Sequence, residues 1–215
     1  MISVSDDFVP VHPRMLYWEK KYGGDMVVAG LDEAGRGPLA GPVVAAAVIL
    51  PQLHSHPVPI LDSKKLTPSR REAAFQYLTR LPGAAIGIGI IGQAEIDRIN
   101  ILEATREAMN QAAGKLPVSP GYLLIDGLIS LSLPIPQQSL VRGEEKSVSI
   151  AAASIVAKVT RDRIMLEYDR EFPVYGFGSH KGYGTKLHME MLKKHGPCEI
   201  HRFSFSPVAR SARRQ

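Results

Sequence analysis

Short apolar runs and polar, Gly- and Pro-rich breaks alternate along the first half of the chain. Residues 26–31, 43–50 and 84–91 are three apolar runs of strand length, and Pro38, Gly41-Pro42 and Pro51 punctuate the gaps between them. Tyr122-Leu123-Leu124-Ile125 is a fourth run, closed by Asp126-Gly127, and Ser139-Leu140-Val141 is a short fifth. Elsewhere the period lengthens to that of a helix. Ile96, Ile99, Leu102, Arg106 and Met109 recur at helical spacing and predict one helix over 93–113. Thr67 as N-cap and Pro68 at the first helical position predict a helix over 68–80. Further helices are expected at 15–22, 147–170 and 186–195, with Gly176, Gly178, Gly182 and Gly184 making a flexible loop between the last two. Three successive strands followed by alternating helices and strands indicate an α/β fold, a mixed sheet flanked by helices, with a C-terminal helical region beside it.

The length, 215 residues, suits one domain. The expected division is an extension over 1–25, a domain over 26–209 whose sheet core ends near 172, and a mobile basic tail over 210–215. A net charge of +5 and a pI near 9.3 favour a polyanionic partner. Cys198 is the only cysteine, which removes intramolecular disulfides and cysteine-based zinc sites. The longest apolar run, Val43 to Leu50, is too short to span a bilayer, and residues 1–25 contain no apolar signal core. A cytoplasmic location and no membrane association are therefore expected.

The chemistry concentrates in carboxylates. The run Val27 to Leu31 stops at Asp32-Glu33, and a Gly35-Arg36-Gly37 turn follows. Two adjacent acids at the end of a buried strand repel each other unless a cation joins them, and a hard divalent ion is the natural partner. Asp126 ends a second buried strand; if the two strands are adjacent and parallel, their acids meet. Alone, Asp126 also reads as a turn or N-cap residue. Asp162, with Ile155, Val159, Met165 and Leu166 along one helical stripe, is expected to be forced inward, while Arg161 and Arg163 point elsewhere. The alternative is an Asp at the stripe's edge, salt-bridged to Lys158 or Arg161. Four acids from separate buried elements suit a two-metal phosphoryl-transfer site.

Other motifs admit two readings each. Gly35 to Ala40 fits the dinucleotide pattern only formally, because a strand rather than a helix is expected after it. Asp62-Ser63-Lys64-Lys65 reads as a phosphate-backbone contact or as a solvated charged turn. His180-Lys181-Gly182-Tyr183-Gly184-Thr185-Lys186 offers an aromatic face between cations, suited to stacking beside phosphates, or is an ordinary basic loop. His201-Arg202-Phe203-Ser204-Phe205 is expected to be structural, with Phe203 or Phe205 anchoring the chain end.

Taken in order, Leu31 to Val43, Asp62 to Leu66, Ile125-Asp126-Gly127, Ser149 to Asp162, His180 to Thr185 and His201 to Phe205 resemble bacterial type-2 ribonuclease H, ribonuclease HII. The resemblance covers residues 27–208 and implies a ribonuclease-H-like core. It implies an endonuclease that cuts the RNA strand of RNA–DNA hybrids and cuts 5′ of single ribonucleotides embedded in duplex DNA, leaving 5′-phosphate and 3′-hydroxyl ends. It implies Mn2+ or Mg2+ held by Asp32, Glu33, Asp126 and Asp162. Substrate contacts would come from Gly35, Arg36 and Gly37 at the ribose 2′-hydroxyl and its phosphate, and from Tyr183 on the following deoxyribose. Ser63, Lys64, Lys65, Lys158, Lys181 and Lys186 complete that surface. One departure is Gly143-Glu144, where the family usually has Gly-Asp, a change that this reading places outside the acid set. A monomer is expected, and no protein partner is implied. The competing classes are a basic binding module with structural acids and a dinucleotide-dependent enzyme.

Overall fold

A computed structural model describes residues 9–24, 26–51 and 55–212. The apolar runs become a five-stranded sheet of β2 (Val28–Ala34), β3 (Val43–Ile49), β5 (Ala85–Ile91), β6 (Tyr122–Asp126) and β7 (Gln137–Leu140), in the order β5-β3-β2-β6-β7. β2, β3 and β5 are antiparallel, whereas β2, β6 and β7 are parallel, so the sheet is mixed. A second, two-stranded ribbon pairs β1 (Val9–Pro10) with β4 (Ser55–His56); no sequence signal marked it.

Helices cover both faces. α4 (Ile101–Gly114) lays Ala104, Ala108 and Ala112 on one face, against Ala45, Ala47 and Ile91. α5 (Val148–Glu171) crosses the other, with α2 (Pro68–Arg80) beside it and Ala151 to Ala153, Ile155 and Val156 in the core. Small residues let α5 lie close: a Cβ at Gly30 would stand 2.2 Å from the backbone carbon of Ser149. Side-chain oxygens cap these helices: Thr67, as expected, accepts from the Arg70 N–H, and Ser147 accepts from the Ile150 N–H.

Four sequence expectations change. The single helix over 93–113 is two, α3 (Gln93–Ile99) and α4, because Asn100 takes a left-handed φ of +69° and its side chain caps α4 through the Leu102 and Glu103 N–H groups. The glycine loop contains a helical turn, α6 (Phe177–His180), before α7 (Lys186–His195). The tail over 210–215 is helical to residue 212 within α8 (Ser206–Ala212); the rest lies outside the described residues. The extension over 1–25 is not separate where described: after a 3-10 turn over Pro13–Leu16, α1 (Tyr17–Gly23) stacks Tyr22 on Tyr122 at 3.9 Å. Glu19 of α1 also accepts hydrogen bonds from the Ser147 hydroxyl and the Ser149 N–H at the start of α5.

Phe205 packs against the core and Phe203 is exposed, so the former anchors the chain end. Among the described residues no helix is long and apolar enough to cross a membrane.

Candidate active site

β2 and β6 lie side by side and parallel with Leu31 opposite Ile125, so Asp32 and Asp126 occupy the next level of the sheet together. β2 runs on through both acids to Ala34, so they lie within the strand rather than at its end. Asp32 is buried and accepts the Glu33 N–H at 2.7 Å. Burial first, then the charges of Glu33 and Asp126, push its carboxyl well above the ordinary range, and Glu144 adds to the same field. Glu33 is also raised by burial, against the pull of Arg36 at 3.6 Å. Asp126 accepts the Gly143 N–H at 2.7 Å, which brings the turn over Gly143–Glu145 onto the acids. Burial and the neighbouring Asp126 raise the Glu144 carboxyl, and its Oε2 is buried with no hydrogen-bond partner among the described residues.

Asp162 does not join this group as expected. The inward residue of that helical turn is Arg161, which is 1% exposed, and Asp162 sits at the edge of the stripe. Lys158 binds Asp162 at 2.6 Å and Arg71 of α2 lies 3.8 Å away, so its charge is already answered. The helix also carries it off. Gly30 meets α5 at Ser149 and Gly35 meets it at Arg161, which puts Asp32 level with about Ser154. Asp162 is then roughly 12 Å further along the axis at 1.5 Å per residue. The acid that takes its place is Glu144. The sequence reading marks Glu144 as a departure from the family's usual Gly-Asp and places it outside the acid set; the structure brings it in. Its signal was position: it precedes the cap of the helix that covers the sheet.

A divalent cation fits this set by chemistry. Four carboxyl groups, one with an orphaned buried oxygen, face a shortage of positive charge. Among the described residues no three such groups close around one point, so the carboxylates would turn inward to share an ion. Beside Arg36, the acids have Lys64 in their field: burial lowers its pKa, but Asp32, Asp62, Glu144 and Asp126 together outweigh that and raise it. Ser63, at the buried base of the same turn, is held by the Ser154 hydroxyl at 2.7 Å.

The Gly35-Arg36-Gly37 turn follows the acids directly. Gly35 has φ +102°, and a Cβ there would lie 2.1 Å from Arg161 Nε, so the turn requires glycine. Gly37 faces Tyr183: a Cβ on it would reach Tyr183 Cε1 at 3.7 Å. Both Gly37 and Tyr183 are exposed. The dinucleotide reading fails here, since β3 and not a helix receives the turn. The remaining lysines differ. Lys158 is committed to Asp162, Lys65 pairs with Glu145 at 2.7 Å, and Lys181 bonds the Gly178 carbonyl. Lys186, with Glu190 at 3.9 Å, is almost fully exposed.

Two buried arginines brace the turn: Arg161, which was expected to point elsewhere, and Arg202, from the run expected to be structural. Arg202 donates to the carbonyls of Gly35 at 2.6 Å, Arg36 at 3.0 Å and Gly41 at 2.9 Å. Arg161 donates to those of Pro42 at 2.9 Å, Ala40 at 3.1 Å and Lys181 at 2.9 Å. Behind Tyr183 runs a histidine relay. The Cys198 N–H donates to His201 Nδ1, His201 Nε2–H to His188 Nε2 and His188 Nδ1–H to the Tyr183 carbonyl, at 3.0, 3.0 and 2.9 Å. The Tyr183 carbonyl only accepts, so His188 carries a proton on Nδ1; with both rings neutral, its Nε2 then accepts from His201 and leaves His201 Nδ1 to the Cys198 N–H, the Cys198 carbonyl lying 3.2 Å away. Burial holds both imidazoles down, to about 4.

Known proteins resemble this chain over most of its length. The family model described as Ribonuclease HII matches residues 29–208. The ribonuclease HII of Geobacter metallireducens is 55% identical over 185 residues, covering 86% of this chain and 86% of that protein. That of Chlamydia pneumoniae is 52% identical over 196 residues, covering 90% and 91%. Among solved structures, ribonuclease H2 from Pyrococcus horikoshii superposes with a TM-score of 0.74 at 27% identity, over 88% of this chain and 98% of that one. A Bst ribonuclease HIII solved in complex with Mn2+ shares the fold, with a TM-score of 0.67 at 18% identity over 98% of this chain and 77% of that one.

Proposed function

The chain belongs to the ribonuclease HII family, and on that premise we propose that it is a divalent-metal-dependent endonuclease that cuts the RNA strand of RNA–DNA hybrids and cuts 5′ of a single ribonucleotide in duplex DNA. The observation that carries the finer reading is the juxtaposition of a buried acid cluster with the exposed Gly37 and Tyr183 surface. Charge for phosphoryl chemistry and a close backbone approach to a sugar stand next to each other on one strand and its turn.

Asp32, Glu33, Asp126 and Glu144 would hold Mn2+ or Mg2+, which would supply an activated water and offset charge on the leaving 3′ oxygen. The protein's own groups do the rest. Exposed glycine backbone at 37 admits the ribose, where a side chain would intrude, glycine at 35 lets the turn form against Arg161, and the polar groups of this backbone suit a 2′-hydroxyl that both donates and accepts. Tyr183 offers a flat face to the next sugar, which favours deoxyribose there. Lys64 keeps a positive charge beside the acids and draws in phosphate, and Lys181 and Lys186 extend that attraction along the duplex. Lys158 is removed from the contact surface by its pairing with Asp162.

The test is a labelled DNA duplex carrying one ribonucleotide, incubated with Mn2+, with Mg2+ and with chelator. Cleavage 5′ of the ribonucleotide, only with metal, leaving 3′-hydroxyl and 5′-phosphate ends, is expected. An all-DNA duplex cut at a comparable rate would overturn the recognition reading.

A further inference from the structure

Arg202 and Arg161 are both essentially inaccessible to solvent, and all six of their hydrogen bonds end on backbone carbonyls. A buried guanidinium without a carboxylate is costly unless its N–H groups find acceptors, and each arginine places three of its five on one loop and its neighbour. A hydrophobic pair of similar volume would fill the space at lower cost. The geometry shows what the arginines do instead. In a planar trans peptide the C=O and N–H point to opposite sides, and the described residues contain no cis bond. Arg202 draws the Gly35 and Arg36 carbonyls inward. The N–H groups of the same two peptide units, those of Arg36 and Gly37, are thereby turned outward. Both residues are exposed, and neither N–H donates a hydrogen bond among the described residues.

We propose that Arg202 is a positioning residue that turns the Arg36 and Gly37 amides outward to form an oxyanion site for a substrate phosphodiester. Two successive outward amides make a concave anion site, and a guanidinium behind them adds positive potential without touching the ligand. Arg161 ties the adjoining carbonyls at 40 and 42 to that of Lys181, so the Tyr183 loop is held in the same brace. This inference rests on the proposed nuclease reading for the identity of the anion; the amide geometry does not depend on it.

The experiment has two arms, using wild type, Arg202→Lys and Arg202→Met. In the first, amide spectra of the 15N-labelled protein are followed while inorganic phosphate is added. The Arg36 and Gly37 resonances should shift in wild type, by less than half as much in Arg202→Lys, and not at all in Arg202→Met. In the second, the uncleaved phosphate 3′ of the ribonucleotide is replaced by a neutral methylphosphonate. Wild type should slow by roughly a hundredfold, as when a preorganised backbone donor is lost, and Arg202→Lys by less than about threefold. A reduced active fraction cancels in that ratio, so a merely structural role would leave it at the wild-type value. Should Arg202→Met not fold, Arg202→Lys decides both arms. Phosphate shifts equal in all folded variants would overturn the inference even if the duplex is cut. Failure of wild type to cut at a ribonucleotide would overturn the nuclease reading and leave the first arm to decide this one.

Discussion

Gly35→Ala tests whether the recognition turn is held under steric constraint. The added methyl would stand 2.1 Å from Arg161 Nε, 2.5 Å from its Cδ and 2.7 Å from the Pro42 carbonyl oxygen, at φ +102°. Arg161 cannot swing aside without losing its own three backbone partners. The backbone conformation costs a side-chain-bearing residue about 1–3 kcal/mol. Overpacking costs a further ~1–3 kcal/mol. A total of roughly 2–6 kcal/mol is a large part of a domain's stability, which is about 5–15 kcal/mol. In a chain of this length it should lower Tm by roughly 5–15 °C. Gly37→Ala is the control. Its φ is not left-handed and its nearest neighbour is Tyr183 Cε1 at 3.7 Å, so its stability should change by less than about 0.5 kcal/mol. Its methyl would instead intrude between Tyr183 and the ribose and lower cleavage at a single ribonucleotide by about tenfold or more. Thermal denaturation and single-turnover cleavage, run on both variants, separate the two effects. Equal Tm values for Gly35→Ala and wild type would refute the steric argument.

Glu144→Gln should reduce cleavage by at least about a hundredfold and Asp162→Asn by far less, measured at saturating Mn2+; the reverse order would restore Asp162 to the acid set. The neutral histidines give a pH dependence. His188 and His201 protonate near 4 when folded but near 6.5 when unfolded, so their contribution is complete above pH 6.5 and drains as pH falls from there towards 4. Urea midpoints should therefore fall from pH 7 to pH 5, more steeply than in His188→Gln/His201→Gln, and parallel profiles would contradict the relay. Duplex binding should weaken with salt, and Lys181→Ala/Lys186→Ala should reduce the slope of log K against log salt by roughly 0.7–0.9 per lost phosphate contact. An unchanged slope would show that this loop does not touch the backbone.

The parts of the fold that were readable are those whose local pattern and final environment agree. Val43–Ile49 is apolar throughout because both of its faces are covered, and Pro68–Arg80 carries its own cap and start signal. The break at Asn100 was hidden because the apolar period continues across it; only the left-handed asparagine interrupts the backbone. Phase was the difficulty in α5. Its first half is buried nearly all round, so no single stripe marks the inward face, and extending the stripe put Asp162 inside where Arg161 belongs. Asp32, Glu33 and Asp126 were legible because acids in apolar strands conflict with their surroundings. Glu144, Arg161 and Arg202 were not, since their burial is created by segments distant in sequence.

That distance bears on how the protein is made. Arg202 reaches back 167 residues to Gly35 and 166 to Arg36. The acids on β2 and their turn leave the synthetic machinery early, while the guanidinium that orders the turn comes last. At about 5–20 residues per second the interval is on the order of 10–30 s. Through that interval the nascent chain has an acid-bearing strand but no ordered recognition turn. The turn therefore reaches its final order only when nearly the whole chain is present, after the neighbouring strands β2 and β3 can already pair.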